Sequence, residues 1–161
     1  MNGIYLIIDG NMGDRENYLA TCIQEIENCI GKIVRKSAIY ETASWGNTEQ
    51  TPYLNQVLFL YTNLNPQKLL AECLSIEKKM GRRRTVKWDS RIIDIDILFY
   101  DHEIIHDDGL TIPHPLLHER KFVLIPLNEL SPLFIHPVSK KSIHELLNEC
   151  KDPLEVKKFI G

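Results

Sequence analysis

Apolar residues in the first half of the chain occur in two patterns, continuous runs and helical stripes. Residues 4–8 form a continuous apolar run, which predicts a buried strand. Over residues 18–30 the apolar positions recur every three to five residues, so they share one face of a helix that ends at Gly31. The segments 32–42 and 54–62 are rich in apolar and β-branched residues and predict two further strands.

The second half of the chain begins with a helix start signal. Pro66 is favoured in the first turn of a helix, and an apolar stripe follows it as far as Met80. In residues 92–100, aspartates alternate with isoleucines, which predicts a strand. Further elements are expected at 103–105 (a short strand) and at 116–120, 122–130 and 142–150 (helices).

The order of the first six long elements is strand, helix, strand, strand, helix, strand. This order predicts an α+β fold with a ferredoxin-like core, in which an antiparallel sheet has helices packed on its faces. The sequence contains no internal repeat, low-complexity segment or linker. We therefore expect residues 1–161 to form a single domain, since this length is common for one.

Charge narrows the classes of ligand. The chain has 161 residues, of which 43% are hydrophobic and 25% charged, and its net charge is −3. That balance argues against binding nucleic acid through a general basic surface. Positive charge is concentrated at Arg82, Arg83 and Arg84, with Lys87 and Arg91 close behind. A small basic cluster in a mildly acidic protein indicates a compact anionic ligand.

The sequence carries no membrane or disulfide signal. The apolar run at 4–8 is too short for the hydrophobic part of a signal peptide, and no other stretch is long enough to cross a bilayer. The four cysteines have no spacing typical of a metal site. We expect a cytoplasmic protein without a membrane partner and, since no apolar stripe is left unassigned, a monomer.

The segment 91–98 carries the strongest chemical signal. Alternate residues of a strand share one face, so Asp94 and Asp96 are expected to point together while the neighbouring isoleucines point into the core. Their Cα atoms would lie about 6.6 Å apart, which is two strand rises. At that spacing two carboxylates can hold one or two magnesium ions. The alternative is the ordinary polar face of an amphipathic strand.

Arginines near this pair favour the transfer of a phosphoryl-type group. Arg91 lies three residues before Asp94, and Arg82 lies in the preceding loop. Metal-bound carboxylates and guanidinium groups together neutralise the charge of transferred phosphates. Glu77 continues an apolar helical stripe, where it could extend to solvent at the helix end or act beside Arg82. His114 stands between two prolines and could donate to a phosphate or only cap a turn.

Large aromatic residues accompany these charges. Trp45 and Trp88 lie in polar loops, where exposed apolar surface usually has a binding partner. Tyr53 and Phe122 would be core residues by default. A flat heterocycle stacked between aromatic rings, with the amide of Asn55 hydrogen-bonding its edge, is a natural use of this set.

Several sequence blocks together resemble the hydroxymethyl-dihydropterin pyrophosphokinase family of folate biosynthesis. The signature block is 87–98 (KWDSRIIDIDIL), and the resemblance runs from the first strand to about residue 132. The supporting blocks, in order along the chain, are 40–46 (YETASWG), 53–55 (YLN), 111–115 (TIPHP), 118–127 (HERKFVLIPL) and 129–132 (ELSP).

The resemblance implies an enzyme that moves a diphosphate from ATP to 6-hydroxymethyl-7,8-dihydropterin and releases AMP. It implies two magnesium ions on Asp94 and Asp96, and a catalytic role for these residues together with Arg82 and Arg91. The implied ATP contacts are Glu77, Arg82, Trp88, Arg91, Thr111, His114 and Arg120. The implied pterin contacts are Thr42, Ala43, Trp45, Tyr53, Asn55, Asp94 and Phe122. Loops at 11–17, 43–52 and 82–91 would close over these small-molecule partners.

Two positions depart from the family pattern. The first turn of the family usually reads Gly-Ser-Asn-x-Gly, whereas residues 9–13 read DGNMG, which places the Asp9 carboxylate beside the pterin pocket. Asp89 stands where the signature usually has glycine or alanine. Neither change removes an implied metal ligand. We therefore expect activity, while the rate and the substrate preference stay open.

Three other interpretations remain. The first is a catalytically weak relative of the family, because of Asp9 and Asp89. The second is a ligand-binding regulatory module on the same scaffold, which would not need paired aspartates beside arginines. The third is an RNA-binding domain of similar topology. The acidic charge and the two aspartates on the open face of the sheet argue against it.

Overall fold

The structure, a computed structural model, describes residues 1–43, 50–82 and 91–161. In chain order the elements are β1 (Asn2–Gly10), α1 (Arg15–Cys29), β2 (Gly31–Lys36), β3 (Tyr40–Thr42), β4 (Tyr53–Thr62), α2 (Pro66–Lys79), β5 (Asp94–Tyr100), β6 (Ile105–Asp107), β7 (Leu110–Ile112), a short 3-10 helix (Leu117–Glu119), α3 (Lys121–Leu130), α4 (Ile143–Glu149) and β8 (Val156–Lys158).

The strand β1 lies inside the main antiparallel sheet. It pairs with β5 on one side and with β4 on the other. The far edge of β4 pairs with β2 at one end and with β3 at the other, and β8 extends the sheet beyond β3. The strands β6 and β7 form a separate hairpin. This strand order, with α1 and α2 as the connecting helices, confirms the predicted ferredoxin-like core.

The helices α1 and α2 cover one face of the sheet. Their apolar stripes pack against the even-numbered residues of β1 in one core, which we call the α1–α2 core. Its members include Leu19, Cys22 and Ile26 from α1, Leu69, Cys73 and Ile76 from α2, and Ile4, Leu6 and Ile8 from β1.

The helices α3 and α4 cover the opposite face and form a second core, the α3–α4 core. Its members include Val123, Leu124 and Leu127 from α3, Ile143 and Leu146 from α4, and Tyr5, Ile7, Val57 and Phe99 from the sheet. Because both faces of β1 are covered, its residues from Ile4 onward are buried without alternation. This explains the continuous apolar run in the sequence.

A β-bulge in β5 changes which residues share a face. The register with β1 shifts at Leu98, so Leu98 and Phe99 both pack in the α3–α4 core. Before the bulge the alternation holds, and Ile93, Ile95 and Ile97 all lie in the α1–α2 core, as predicted. The polar residues between them therefore face the α3–α4 side of the sheet.

Three elements differ from the expectation. The strand predicted over 32–42 is two strands, because the hydroxyl of Ser37 accepts a hydrogen bond from the Val57 N–H (3.0 Å) where a strand would offer a carbonyl. The strand expected at 103–105 begins instead at Ile105 and forms a hairpin with β7, which the prediction missed. The strand β8 was also missed, since three residues at a sheet edge carry little pattern.

Among the residues that the structure describes, no helix combines the length and the apolarity that a bilayer span requires.

The start of α4 provides a test of local helix stabilisation. The Ser142 hydroxyl accepts from the Glu145 N–H (3.1 Å), and the Glu145 carboxylate accepts from the Ser142 N–H (3.1 Å). Ser142→Ala removes the hydroxyl and should lower the free energy of unfolding by about 1 kcal/mol, measured by urea denaturation. Ser142→Thr keeps the hydroxyl and is the matched control. Equal stability of Ser142→Ala and the wild type would contradict this contribution.

Candidate active site

Three polar side chains lie side by side across three neighbouring strands. Asp9 of β1 is the register partner of both Asn55 in β4 and Asp94 in β5. Directly paired residues point to the same face of a sheet, and Asp9 alternates with Tyr5 and Ile7, which lie in the α3–α4 core. The sheet register therefore brings an amide and two carboxylates to the same place on the α3–α4 face.

A third carboxylate joins this row. Asp96 lies two residues after Asp94 on β5, and one carboxylate oxygen each of Asp9, Asp94 and Asp96 lie within 4.8 Å of one another. Asp9 is only 7% exposed, and its Oδ1 atom is buried without a hydrogen-bond partner among the described residues. Clustered carboxylate oxygens are the ligands that Mg²⁺ and other hard divalent cations prefer, so these residues fit a cation site.

The cluster changes the pKa values of its three members in different directions. Burial, followed by the charges of Asp94 and Glu77, raises the pKa of Asp96 to about 7. Burial, followed by the charges of Asp94 and Asp96, also raises the pKa of Asp9. Burial opposes ionisation of Asp94 as well, but the guanidinium groups of Arg82 and Arg91 outweigh it and lower its pKa. Asp94 is thus the member held firmly in its charged form.

Two arginines pair with Asp94. The Nη1 atom of Arg91 lies 2.9 Å from Oδ2 of Asp94, and the Nη1 atom of Arg82 contacts Oδ1 of the same residue. The Nε atoms of Arg82 and Arg91 are both buried, and neither has a hydrogen-bond partner within the described ranges. Because a buried donor without a partner is costly, these N–H groups are available to an anionic ligand.

Glu77 connects Arg82 to the sheet. Its carboxylate lies on α2, is 3% exposed, and accepts a hydrogen bond from the Ile95 N–H (2.7 Å). It also lies 3.2 Å from Nη1 of Arg82. Since β5 is an edge strand, the Ile95 N–H needs an acceptor from outside the sheet. Glu77 is therefore buried beside Arg82 and does not extend to solvent.

The backbone of Arg91 is held by the first turn of the chain. Asn11 accepts from the Arg91 N–H through its Oδ1 atom (2.9 Å), donates its own N–H to the Arg91 carbonyl (2.9 Å), and donates from Nδ2 to the Thr51 carbonyl (3.0 Å). A Cβ atom at Gly10 would come within 2.2 Å of the Ile92 carbonyl oxygen. This close packing requires glycine there. Asn11 was predicted only as part of a loop that closes over the substrates. Its position in a polar turn directly after a buried strand is the sequence signal for this anchoring role.

A cavity of about 670 Å³ opens beside the carboxylates. Asn55 is fully buried at its wall, where its Nδ2 atom donates to the Phe122 carbonyl (3.2 Å) and its Oδ1 atom lies 3.2 Å from the Thr42 hydroxyl. The guanidinium carbons of Arg91 and Arg120 lie 5.4 and 5.6 Å from the ring centres of Tyr53 and Phe122, respectively. The expected site residues that line this cavity are Thr42, Ala43, Tyr53, Asn55, Arg91, Asp94, Asp96, Arg120 and Phe122.

Four other expected site residues do not line the cavity. Arg82 contacts Asp94, and Glu77 contacts Arg82. Thr111 is exposed on β7. His114 donates its backbone N–H to the Leu98 carbonyl (3.1 Å) and accepts at Nδ1 from the Leu116 N–H, while burial and then Arg120 lower its pKa. Some expected residues lie outside the part of the chain that the structure describes. They are Trp45, Trp88, Asp89 and most of the loops at 43–52 and 82–91.

One wall of the cavity was not predicted from the sequence. Residues 149–154, which begin at the last residue of α4, also line the cavity. Asp152 fixes this segment, because its Oδ2 atom accepts from the Lys121 N–H at the start of α3 (3.1 Å) and its Oδ1 atom accepts from the Leu154 N–H (3.0 Å). No local pattern marks these residues, since their place depends on how α4 packs against α3.

Enzymes that transfer phosphoryl-type groups use oxygen ligands for a cation together with arginine donors, and this site fits that class. Comparison with known proteins agrees. Residues 5–132 match the family described as 7,8-dihydro-6-hydroxymethylpterin-pyrophosphokinase (HPPK). The chain is 40% identical over 149 residues to the 2-amino-4-hydroxy-6-hydroxymethyldihydropteridine pyrophosphokinase of Aquifex aeolicus, with 92% of each chain covered. The chain belongs to the HPPK family.

Two further comparisons show how far the similarity in sequence and in structure extends. The Bacillus subtilis enzyme of the same name is 41% identical over 132 residues, which cover 81% of this chain and 79% of that enzyme. A crystal structure of Plasmodium falciparum HPPK-DHPS with pterin and p-hydroxybenzoate has a TM-score of 0.77 at 19% identity. It covers 92% of this chain and 43% of that longer chain, so this chain spans less than half of its length. At this identity the structural likeness shows the fold.

The carboxylate cluster predicts a pH-dependent gain of stability in Asp96→Asn. The raised pKa of Asp96 favours folding below its unfolded pKa of about 4, and this contribution is lost as the pH rises through about 7. The amide in Asp96→Asn does not ionise, so the variant does not lose this stability as the pH rises. Without metal, the variant should therefore gain about 3–6 °C in melting temperature over the wild type at pH 8, and the gain should shrink towards pH 5.

The exposed carboxylate of Glu103 offers a control for this measurement. Glu103→Gln should show no comparable gain in melting temperature between pH 5 and pH 8. A gain in Asp96→Asn that stays constant over this pH range, or a loss at pH 8, would contradict burial and repulsion of the charged Asp96 carboxylate as the cause.

Proposed function

We propose that this protein transfers the terminal diphosphate of ATP to the hydroxymethyl group of 6-hydroxymethyl-7,8-dihydropterin in folate biosynthesis, with AMP as the other product. The observation that carries the proposal is the cluster of Asp9, Asp94 and Asp96, paired through Asp94 with two arginines and opening into an aromatic-walled cavity. The names of the relatives at about 40% identity support the same reaction.

The pterin would bind in the cavity beside Asn55. Tyr53 and Phe122 supply two aromatic rings at its wall, and a flat heterocycle between them would displace the guanidinium groups that now lie over those rings. The amide of Asn55 is held by Thr42 and by the Phe122 carbonyl, so its orientation is set before a ligand arrives. Ala43 and Asp94 complete the described part of this proposed pocket, and Trp45 is proposed from the sequence alone.

ATP would bind on the arginine side of the cluster. Arg82 and Arg91 present buried Nε donors that suit phosphate oxygens, and Arg120 lines the cavity. Glu77 acts through Arg82. We keep Thr111, His114 and Trp88 as proposed nucleotide contacts on the strength of the sequence resemblance.

Asp94 and Asp96 would hold Mg²⁺, and the sequence resemblance indicates two ions. When bound, Mg²⁺ would neutralise phosphate charge and acidify the pterin hydroxyl. In the proposed reaction the hydroxyl oxygen bonds to the β-phosphorus of ATP, the bond from that phosphorus to the oxygen shared with the α-phosphorus breaks, and AMP leaves with this oxygen. Arg82 and Arg91 neutralise the charge that develops. Asp96 is the proposed proton acceptor because, unlike Asp94, it has no ion pair with a described arginine.

We further propose that residues 1–161 act as one pyrophosphokinase domain, as a cytoplasmic monomer whose partners are small molecules and include neither nucleic acid nor membrane. The net charge of −3 supports the exclusion of nucleic acid.

The direct test is release of AMP from ATP, measured by liquid chromatography with Mg²⁺ present. AMP should appear only when 6-hydroxymethyl-7,8-dihydropterin is added. Asp96→Ala should lower the rate to the background level while circular dichroism shows the fold retained. If the wild type binds both substrates by calorimetry but releases no AMP, the protein is a regulatory module or an inactive relative. Near-normal turnover by Asp96→Ala would contradict the assigned role of Asp96.

Arg82 offers a test of rate against affinity. Arg82→Lys keeps a positive charge between Glu77 and Asp94 but loses the planar guanidinium donors, so kcat should fall by about 100-fold or more with a much smaller change in KM. Arg35→Lys, at an exposed arginine of β2, is the matched control. An effect of Arg82→Lys on KM alone would make Arg82 a ground-state anchor for ATP.

A further inference from the structure

Two members of the carboxylate cluster, Asp94 and Asp96, form a D-x-D motif on β5, and Asp9 is the member outside this motif. It lies on β1, directly opposite Asp94, and only 7% of its surface is exposed. Its Oδ1 atom has no hydrogen-bond partner within residues 1–43, 50–82 and 91–161. A buried carboxylate oxygen without a donor is costly. Asp9 is also one of the residues that line the cavity.

Within the described part of the chain, the arginines beside the carboxylate cluster form their ion pairs with residues other than Asp9. The described side chains around the cluster include four carboxylates, from Asp9, Asp94, Asp96 and Glu77, and two guanidinium groups. Both guanidinium groups pair with Asp94, and one of them pairs also with Glu77. Asp9 and Asp96 are thus left without an ion pair among these groups. A divalent cation between them would supply the missing charge.

The position of Asp9 is also well fixed. Gly10, the next residue, packs against the Ile92 carbonyl so closely that a Cβ atom would come within 2.2 Å of the oxygen. Asn11 then ties this turn to the backbone of Arg91 through two hydrogen bonds. The end of β1 therefore cannot shift far from β5, and the Asp9 carboxylate stays within reach of the other two.

We propose that Asp9 is a third carboxylate ligand of the divalent-cation site, so that the site is built from two strands rather than from the D-x-D motif alone. This inference rests on the proposed function, because it assumes that Asp94 and Asp96 bind a cation. It assigns to Asp9 a role other than the contact beside the pterin pocket expected from the sequence.

A contact with the pterin is the main competing role. Asp9 is the register partner of Asn55, so a heterocycle N–H group could donate to its carboxylate. The geometry favours the cation, because an Asp9 oxygen lies within 4.8 Å of oxygens of both Asp94 and Asp96. A neutral heterocycle would satisfy one oxygen of Asp9 but would leave the repulsion among the three carboxylates in place.

The test measures cation binding without either substrate. Mn²⁺ is titrated into the wild type, Asp9→Asn, Asp96→Asn and Glu103→Gln at pH 8, and free Mn²⁺ is followed by electron paramagnetic resonance. Asp9→Asn and Asp96→Asn should each raise the Kd for Mn²⁺ by about tenfold or more, while Glu103→Gln should leave it unchanged. Circular dichroism checks that each variant is folded, and the isosteric amide keeps the packing of Asp9.

Other outcomes separate this inference from the proposed function. If Asp96→Asn weakens Mn²⁺ binding but Asp9→Asn leaves the Kd within twofold, Asp9 is not a ligand and the inference fails alone. Calorimetry with the pterin then shows whether Asp9 contacts that substrate instead. If neither variant changes the Kd for Mn²⁺, the metal-dependent part of the proposed function fails as well.

Discussion

Repulsion among three buried carboxylates is the constraint on which the site depends. Sheet register places Asp9 opposite Asp94, and the two-residue repeat of a strand places Asp96 on the same face. Since backbone pairing sets these positions, the side chains cannot separate to relieve the repulsion. The protein compensates for it in two ways. Arg82 and Arg91 keep Asp94 ionised, while burial and then the neighbouring carboxylates raise the pKa values of Asp9 and Asp96.

The two helical layers supply different parts of the site. From the α1–α2 side, Glu77 reaches the edge of β5 and holds Arg82 against Asp94. From the α3–α4 side, the Phe122 carbonyl fixes the amide of Asn55, and its ring lines the cavity. The carboxylates lie where the sheet can be reached from both layers. Arg91 joins the two sides of the site, because it pairs with Asp94 and also lies over the ring of Tyr53.

The buried charges lower the stability of the folded protein and at the same time favour ligand binding. Unpaired buried carboxylates favour the unfolded chain, and a cation or an anionic ligand that binds only the folded state restores the balance. The scaffold can tolerate this because β1 is buried between two apolar cores from Ile4 onward. The site is thus placed at the end of the strand that is held most firmly.

Much of the fold and half of the site could be predicted from the sequence, because they follow from local periodicity. The helical stripes, the continuous run of β1 and the alternation around Asp94 and Asp96 depend only on neighbours in the chain. The tertiary structure alone decided that Asp9 joins the carboxylates, that Asn11 holds Arg91, and that residues 149–154 close the cavity. These contacts join segments far apart in the chain. They arise from strand register and helix packing, which local patterns do not encode.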